Sequence, residues 1–194
     1  MSETAAEIHL VRHGETEWSA SGRHTGRSDI ALTPAGEAAA GGLAYRLAGL
    51  SFAAVWSSPS QRARRTCELA GFGERCIVKP DLAEWDYGAY EGLTTPQILE
   101  KRPGWQLFRD GCPDGEQAAD VGARADRIVA ALHAEGADAL IFSSGHFLRV
   151  LAARWLGLPP QQGALFLLDT ASVSALGYEH RSLAEPVVRG WNQR

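Results

Sequence analysis

Short apolar runs that alternate with helical patterns, and that stop abruptly at polar clusters, constrain this chain more than any other feature. Ile8 to Val11 is a β-type run cut off at Arg12-His13-Gly14. Ala53-Ala54-Val55-Trp56 reads as a second strand that ends at Ser57-Ser58 and leads to Arg62. Ala139–Phe142 reads as a buried strand closed by Ser143-Ser144-Gly145-His146. Strands alternating with helices favour a mostly parallel central sheet covered on both faces, a three-layer α/β/α sandwich. Ligands of such sheets bind outside the carboxyl ends of the strands. Three polar clusters at one edge therefore place the expected site there.

The intervening segments carry helix signals. Thr33 is the expected N-cap and Pro34 the first helical residue of a helix running through Ala38–Leu47. Ser58-Pro59-Ser60-Gln61 reads as a capping box with proline at its first position, opening the helix that carries Arg62. Ala118, Val121, Ala125, Ile128, Val129 and Leu132 form one helical stripe, with Gly136 as its stop. Phe147–Leu156 reads as a helix before Pro159-Pro160, and Ser172–Tyr178 as a last strand. Residues 80–116 read as a long irregular excursion, the kind of segment that carries function or forms a lid. No repeat or linker interrupts the chain, so a single domain over 1–194 is expected; a chain of 194 residues buries about 70% of its unfolded surface.

Composition narrows the function classes. A net charge of −4 gives no reason to expect nucleic acid or a membrane as partner. Cys67, Cys76 and Cys112 are odd in number and lack metal-ligand spacing, which reads as reduced thiols in the cytoplasm. Met1 to Glu7 is polar and acidic, without the apolar core of a leader. Oligomeric state is left open.

The chemistry expected at the sheet edge is that of phosphate. Arg12 offers a planar fork of donors, and a neutral His13 is a nucleophile toward phosphorus. Arg12, Arg62 and helix N-termini supply the fixed positive ends that a phosphoryl group needs. A leaving oxygen also requires a proton donor, and Glu84 or Asp86 is the candidate; Trp85 between them is expected to desolvate the carboxyl and raise its pKa. Arg109 or Lys101-Arg102, near Trp105, is the expected grip for a second phosphate if the substrate is a bisphosphate. No cofactor and no metal are expected, because no His/Cys/Asp cluster has ligand spacing.

Leu10–Thr16, Thr25-Gly26, Leu32-Thr33-Pro34 with Gly36, Ser57-Ser58-Pro59 with Arg62, Ala63 and Thr66, Glu84 to Glu91-Gly92, and Gly115-Glu116 occur in an order that resembles the histidine phosphatase, or phosphoglycerate-mutase-like, superfamily. That resemblance implies that His13 is the phosphorylated nucleophile, that Arg12 and Arg62 clamp the phosphoryl group, and that Glu84 is the proton donor. It also implies that Thr25 and Gly26 close over the phosphate, partly through backbone N–H groups; His24 has no motif support of its own, but as the neighbour of Thr25 it is expected to line the substrate mouth. Glu84-Trp85-Asp86-Tyr87-Gly88 and Tyr90-Glu91-Gly92 look like a subgroup containing sedoheptulose-bisphosphatase and acid phosphatases. Ser19 stands where the mutases have asparagine, which favours a metal-independent phosphatase of a sugar phosphate or bisphosphate over a mutase. One departure stands out. Where the superfamily places a second catalytic histidine this chain has Ser144, with His146 two residues on. Either His146 supplies that donor, or Ser144 and the arginines suffice, or the chain is a weak or inactive phosphate-binding relative.

Overall fold

The computed structural model describes residues 6–194; the polar stretch at residues 1–5 lies outside it. A six-stranded sheet is built from β1 (Ile8–Arg12), β2 (Ala54–Ser57), β3 (Cys76–Val78), β4 (Ala139–Ser143), β5 (Val173–Tyr178) and β6 (Pro186–Gln193). Its order is β3-β2-β4-β1-β5-β6. The first four of these run parallel to one another, while β5 pairs antiparallel with β1 and β6 antiparallel with β5.

Alternation along the strands sorts the side chains into two cores. Ile8, Leu10, Ala54, Trp56, Ala139 and Ile141 face the helices α6 (Ala118–Glu135) and α7 (Gly145–Trp155). Val11, Val55, Leu140 and Phe142 face the other way, with Leu43 and Leu47 from α2 (Pro34–Arg46) and its C-cap and Cys67 from α3 (Gln61–Leu69). This period-2 sorting makes the three-layer α/β/α sandwich with a mostly parallel sheet. Every residue of β4 is buried, as a central strand covered on both faces must be. Arg12 lies opposite Ser143, and Ser57 opposite Phe142, so three parallel strands end in register at one edge.

Thr33 caps α2 as expected, accepting from the Gly36 N–H at 3.0 Å with Pro34 at the first position. Helix α3 corrects the expected capping box. It starts at Gln61 rather than at Pro59, and the side chain of its N-cap Ser60 makes no capping bond. Asp29, from a distant loop, accepts the Gln61 N–H at 2.8 Å, so a tertiary contact does the capping.

The excursion over 80–116 is more ordered than expected. It contains α4 (Thr95–Lys101), with a Thr94/Gln97 capping box, and the short α5 (Leu107–Asp110), and it buries Leu82, Trp85, Tyr87, Ile98 and Trp105. Ser172–Tyr178 is not the last strand, since β6 follows it. Edge strands β3 and β6 lack the apolar alternation that would announce them: Ile77 and Val78 are exposed, and β6 begins at proline and is half-buried on both sides. Among the described residues, no helix is long and apolar enough to cross a membrane.

Candidate active site

His13 is the first residue past β1, and the backbone around it is pinned on several sides. Its N–H donates to the Ser143 carbonyl at 2.9 Å, and the Ala171 N–H reaches the carbonyls of Arg12 and His13. The imidazole Nδ1 lies 2.7 Å from the Gly14 carbonyl oxygen. A carbonyl only accepts, so Nδ1 carries the hydrogen and Nε2 keeps its lone pair. The Gly14 N–H donates to Thr66 Oγ1 at 3.0 Å, and that hydroxyl donates to the Arg62 carbonyl at 2.7 Å. Glycine is required here because a Cβ at position 14 would sit 2.5 Å from the Gly36 carbonyl oxygen. Burial, together with the Arg62 and Arg12 guanidiniums, holds the His13 pKa well below the usual histidine range. The ring is therefore neutral at ordinary pH.

Some buried side-chain polar atoms at this edge of the sheet lack a partner. Among the described residues, four buried side-chain polar atoms lack a hydrogen bond, and three of them are Arg12 Nε, Arg62 Nε and Ser144 Oγ; the fourth is His9 Nδ1. Such groups are costly unless something else satisfies them. Gly145, the first residue of α7, lets Arg12 lie close, for a Cβ there would stand 3.2 Å from Arg12 Nε. Arg12 also donates through Nη1 to the Leu168 carbonyl. Arg62 spends Nη1 and Nη2 on the carbonyls of Ser28, Thr25 and Gly26.

Glu84 joins this edge from the excursion. Its Oε1 accepts from the N–H groups of Trp85 and Phe147, both at 2.8 Å, and its Oε2 accepts from the His146 N–H at 3.0 Å. A carboxylate is thus anchored on the first turn of α7, where the helix dipole favours it. Trp85 directly follows Glu84 in the chain. Its indole is fully buried in the core, edge-on to Phe108, with Nε1 donating to the Glu116 carbonyl. The carboxyl alternatives separate by location. Glu84 borders the His13 pocket, whereas Asp86 lines only a neighbouring cleft and pairs with Arg27 at 2.7 Å.

The pocket itself encloses about 250 Å3 and is lined by Arg12, His13, Ser19, His24, Thr25, Glu84 and His146 from the expected set. The adjoining cleft, about 430 Å3, is larger but has neither His13 nor Arg12 on its walls. His146 sits within the pocket, with Nδ1 2.6 Å from the Tyr87 hydroxyl and its ring 6.0 Å from that of His24. Burial first, then Arg149, His24 and Arg12, hold the His146 pKa well below its usual range. Burial lowers that of His24 as well.

Other expected residues lie elsewhere. Ser144 is buried as the N-cap of α7 and does not line the pocket. Arg62 stands behind it, bracing the loop 25–28. Gly26 has its N–H engaged by the Glu91 carboxylate at 2.9 and 3.0 Å, so this amide is not free to bind phosphate as expected. Arg109 is an outright correction. It is exposed, bound to Asp110 at 2.7 Å and to the Gly104 carbonyl, and absent from the pocket. An adjacent carboxylate in the same short helix captures it locally.

Tyr87, Arg149, Arg23, Thr95 and Leu168 line the pocket without having been assigned a place there. Tyr87 lies inside the 84–92 motif and Arg149 four residues after Gly145, so their positions carried a signal. Neither Arg149 nor Arg23 has a carboxylate partner among the described residues. Arg149 lies over the Phe108 ring at 4.6 Å and donates to the carbonyls of Gly163 and Ala164. The ensemble can present a neutral imidazole lone pair, the guanidiniums of Arg12, Arg23 and Arg149, and a carboxyl group to one small anionic ligand.

Comparison with known proteins points the same way. Residues 8–194 match the family model described as the histidine phosphatase superfamily, branch 1. An acid phosphatase of Mycobacterium tuberculosis is 46% identical over 176 residues, covering 88% of this chain and 86% of that protein. A sedoheptulose 1,7-bisphosphatase of Saccharomyces cerevisiae is 32% identical over 243 residues, covering 92% and 90%. The solved structure of an open reading frame product of M. tuberculosis superposes with a TM-score of 0.90 at 41% identity, over 97% of both chains.

Proposed function

The chain belongs to the histidine phosphatase superfamily and is a phosphatase, and from that premise we propose that it hydrolyses a small phosphomonoester, a sugar phosphate or bisphosphate, through a phosphohistidine on His13 Nε2. The observation that carries this reading is the neutral His13, its Nδ1 tied to the Gly14 carbonyl, in one pocket with Arg12, whose buried Nε has no partner. A phosphoryl group fills that need with acceptor oxygens. The Nε2 lone pair attacks phosphorus as the ester bond to the leaving oxygen breaks, and Glu84 gives that oxygen its proton. Water then attacks the phosphohistidine, Glu84 takes a proton back, and phosphate leaves with His13 neutral again. The arginines stabilise the charge on the equatorial oxygens without moving.

His146 takes the place of the second donor, while Ser144 stays buried as the N-cap of α7. The remainder of the substrate lies against His24, Thr95, Arg23 and Arg149. Those two arginines, rather than Arg109, face any second anionic group. The relatives' names, an acid phosphatase and a sedoheptulose bisphosphatase, fit a phosphorylated sugar as substrate. Chain 1–194 works as one catalytic domain, since β1, α7 and the excursion all contribute to the pocket. Its unpaired Cys67, Cys76 and Cys112 suit the cytoplasm.

Rapid quench with labelled substrate tests the central step. An acid-labile, base-stable phosphoenzyme is expected, absent from His13→Ala. A fully active His13→Ala protein refutes it.

A further inference from the structure

Tyr87 has no part in the chemistry above, yet its phenol is buried against the pocket. A buried hydroxyl hydrogen needs an acceptor. Among the described residues the Tyr87 hydroxyl makes one hydrogen bond, to His146 Nδ1 at 2.6 Å. Burial and the nearby Glu84 carboxylate push the phenol pKa well above its usual range, so the oxygen keeps its hydrogen. The imidazole is neutral for the reasons given above. A neutral ring that accepts at Nδ1 carries its hydrogen on Nε2.

The two histidines are thus arranged in opposite senses. At His13 an acceptor, the Gly14 carbonyl, stands at Nδ1 and frees the Nε2 lone pair for attack. At His146 a donor, the Tyr87 hydroxyl, stands at the same ring position and makes Nε2 a donor. We propose that Tyr87 is a positioning residue that locks His146 in its Nε2–H tautomer, so that the ring presents a fixed hydrogen-bond donor to a phosphoryl oxygen held on His13. The catalytic half of this inference rests on the phosphatase reading; the tautomer does not. The rest of the ring is held too. Its backbone N–H is bound by Glu84, and the rings of Phe108 and His24 lie 5.5 and 6.0 Å away. Orientation and tautomer are then both set before substrate arrives, which is what a preorganised donor requires.

The test uses the full chain labelled with 15N-histidine, and long-range proton–nitrogen correlation spectra. The His146 signals, identified by their loss in His146→Ala, are expected to show protonated Nε2 and bare Nδ1, with His13 the reverse. Tyr87→Phe keeps the ring and removes the hydroxyl, and its His146 signals should move toward a mixture of tautomers. In kinetics, Tyr87→Phe should lower kcat roughly tenfold, the effect of one ordinary hydrogen bond, with KM little changed. On the His146→Ala background the same substitution should do nothing further. A protonated Nδ1 at His146 in the native protein overturns the proposal even if Tyr87→Phe fails to fold. So does an equal loss of kcat from Tyr87→Phe with and without His146. A native protein with the expected spectrum but no phosphoenzyme upholds the tautomer lock and sinks the phosphohistidine reading instead.

Discussion

Replacing Glu84 by glutamine should damage both stability and chemistry, and the two losses can be measured separately. The carboxylate accepts three backbone N–H groups, two on Oε1 and one on Oε2. An amide oxygen in the Oε1 position can keep Trp85 and Phe147, but the amide nitrogen then faces the His146 N–H, donor against donor. With the amide reversed, only His146 keeps an acceptor. At best one bond to a charged group is lost, worth about 1.5–3 kcal/mol. In a chain of this size each kcal/mol moves Tm by about 2–4 °C, so Glu84→Gln should melt about 3–12 °C lower. The chemical loss adds to this, since removing a general acid slows the step it serves by about 10²–10⁴. That loss should fall mainly on an alkyl phosphate, whose leaving oxygen needs the proton. p-Nitrophenyl phosphate, whose phenolate leaves readily, should be phosphorylated onto the enzyme with much less hindrance. Differential scanning calorimetry reads the first effect and single-turnover rapid quench the second. An unchanged Tm would mean the carboxylate does not anchor α7. Equal slowing of both substrates in the phosphorylation step would remove Glu84 from the proton transfer.

Other consequences are as direct. His13, His24 and His146 all have pKa values lowered in the folded protein; the unfolded chain therefore takes up protons first, and the stability they contribute, complete above about pH 6.5, drains away as pH falls toward their folded values. Thermal melts from pH 7.5 to 5 should show it, and kcat/KM for p-nitrophenyl phosphate should lack a histidine inflection near 6.5. His146→Ala should lower kcat about 10²–10³-fold with Ser144→Ala changing little, whereas a Ser144→His variant that gains activity would show Ser144 to be the weak substitute. Arg109→Ala should leave KM for a sugar bisphosphate within twofold, while Arg149→Ala raises it; the reverse pattern would restore Arg109 to the site. Gly36→Ala forces a Cβ into the Glu15 backbone beside the His13 turn and should cost about 1–3 kcal/mol in urea denaturation, with activity falling alongside.

The parts of this protein that were legible in the chain are those written in consecutive residues. Ile8 to Arg12 and Ala139 to Ser143 are short, largely apolar runs, and each ends in the polar residues that a parallel sheet must deliver to its carboxyl edge. His13 and Arg12 follow directly, because nothing between strand and turn is free to move them. Glu84 and His146 were identified by the motifs that contain them, and both line the pocket.

What the chain could not announce depends on partners far away along it. Asp29 caps α3 across 32 residues, and Glu91 claims the Gly26 N–H across 65. Arg109 and Arg149 look equally suitable as anion grips in one dimension. A neighbouring Asp110 holds the first at the surface, while burial over Phe108 brings the second into the pocket. Trp85 and Tyr87 stand two apart in one motif, yet the indole enters the core and the phenol reaches His146, across 59 residues. The sequence by itself determined the inner strands β1, β2, β4 and β5, the carboxyl edge of the parallel ones and the candidate nucleophile, since those follow from local apolar runs and adjacency. Which donors remain unspent, and which way each imidazole holds its hydrogen, was decided only by the tertiary structure, because a hydrogen bond is settled by whatever else the fold brings within 3 Å.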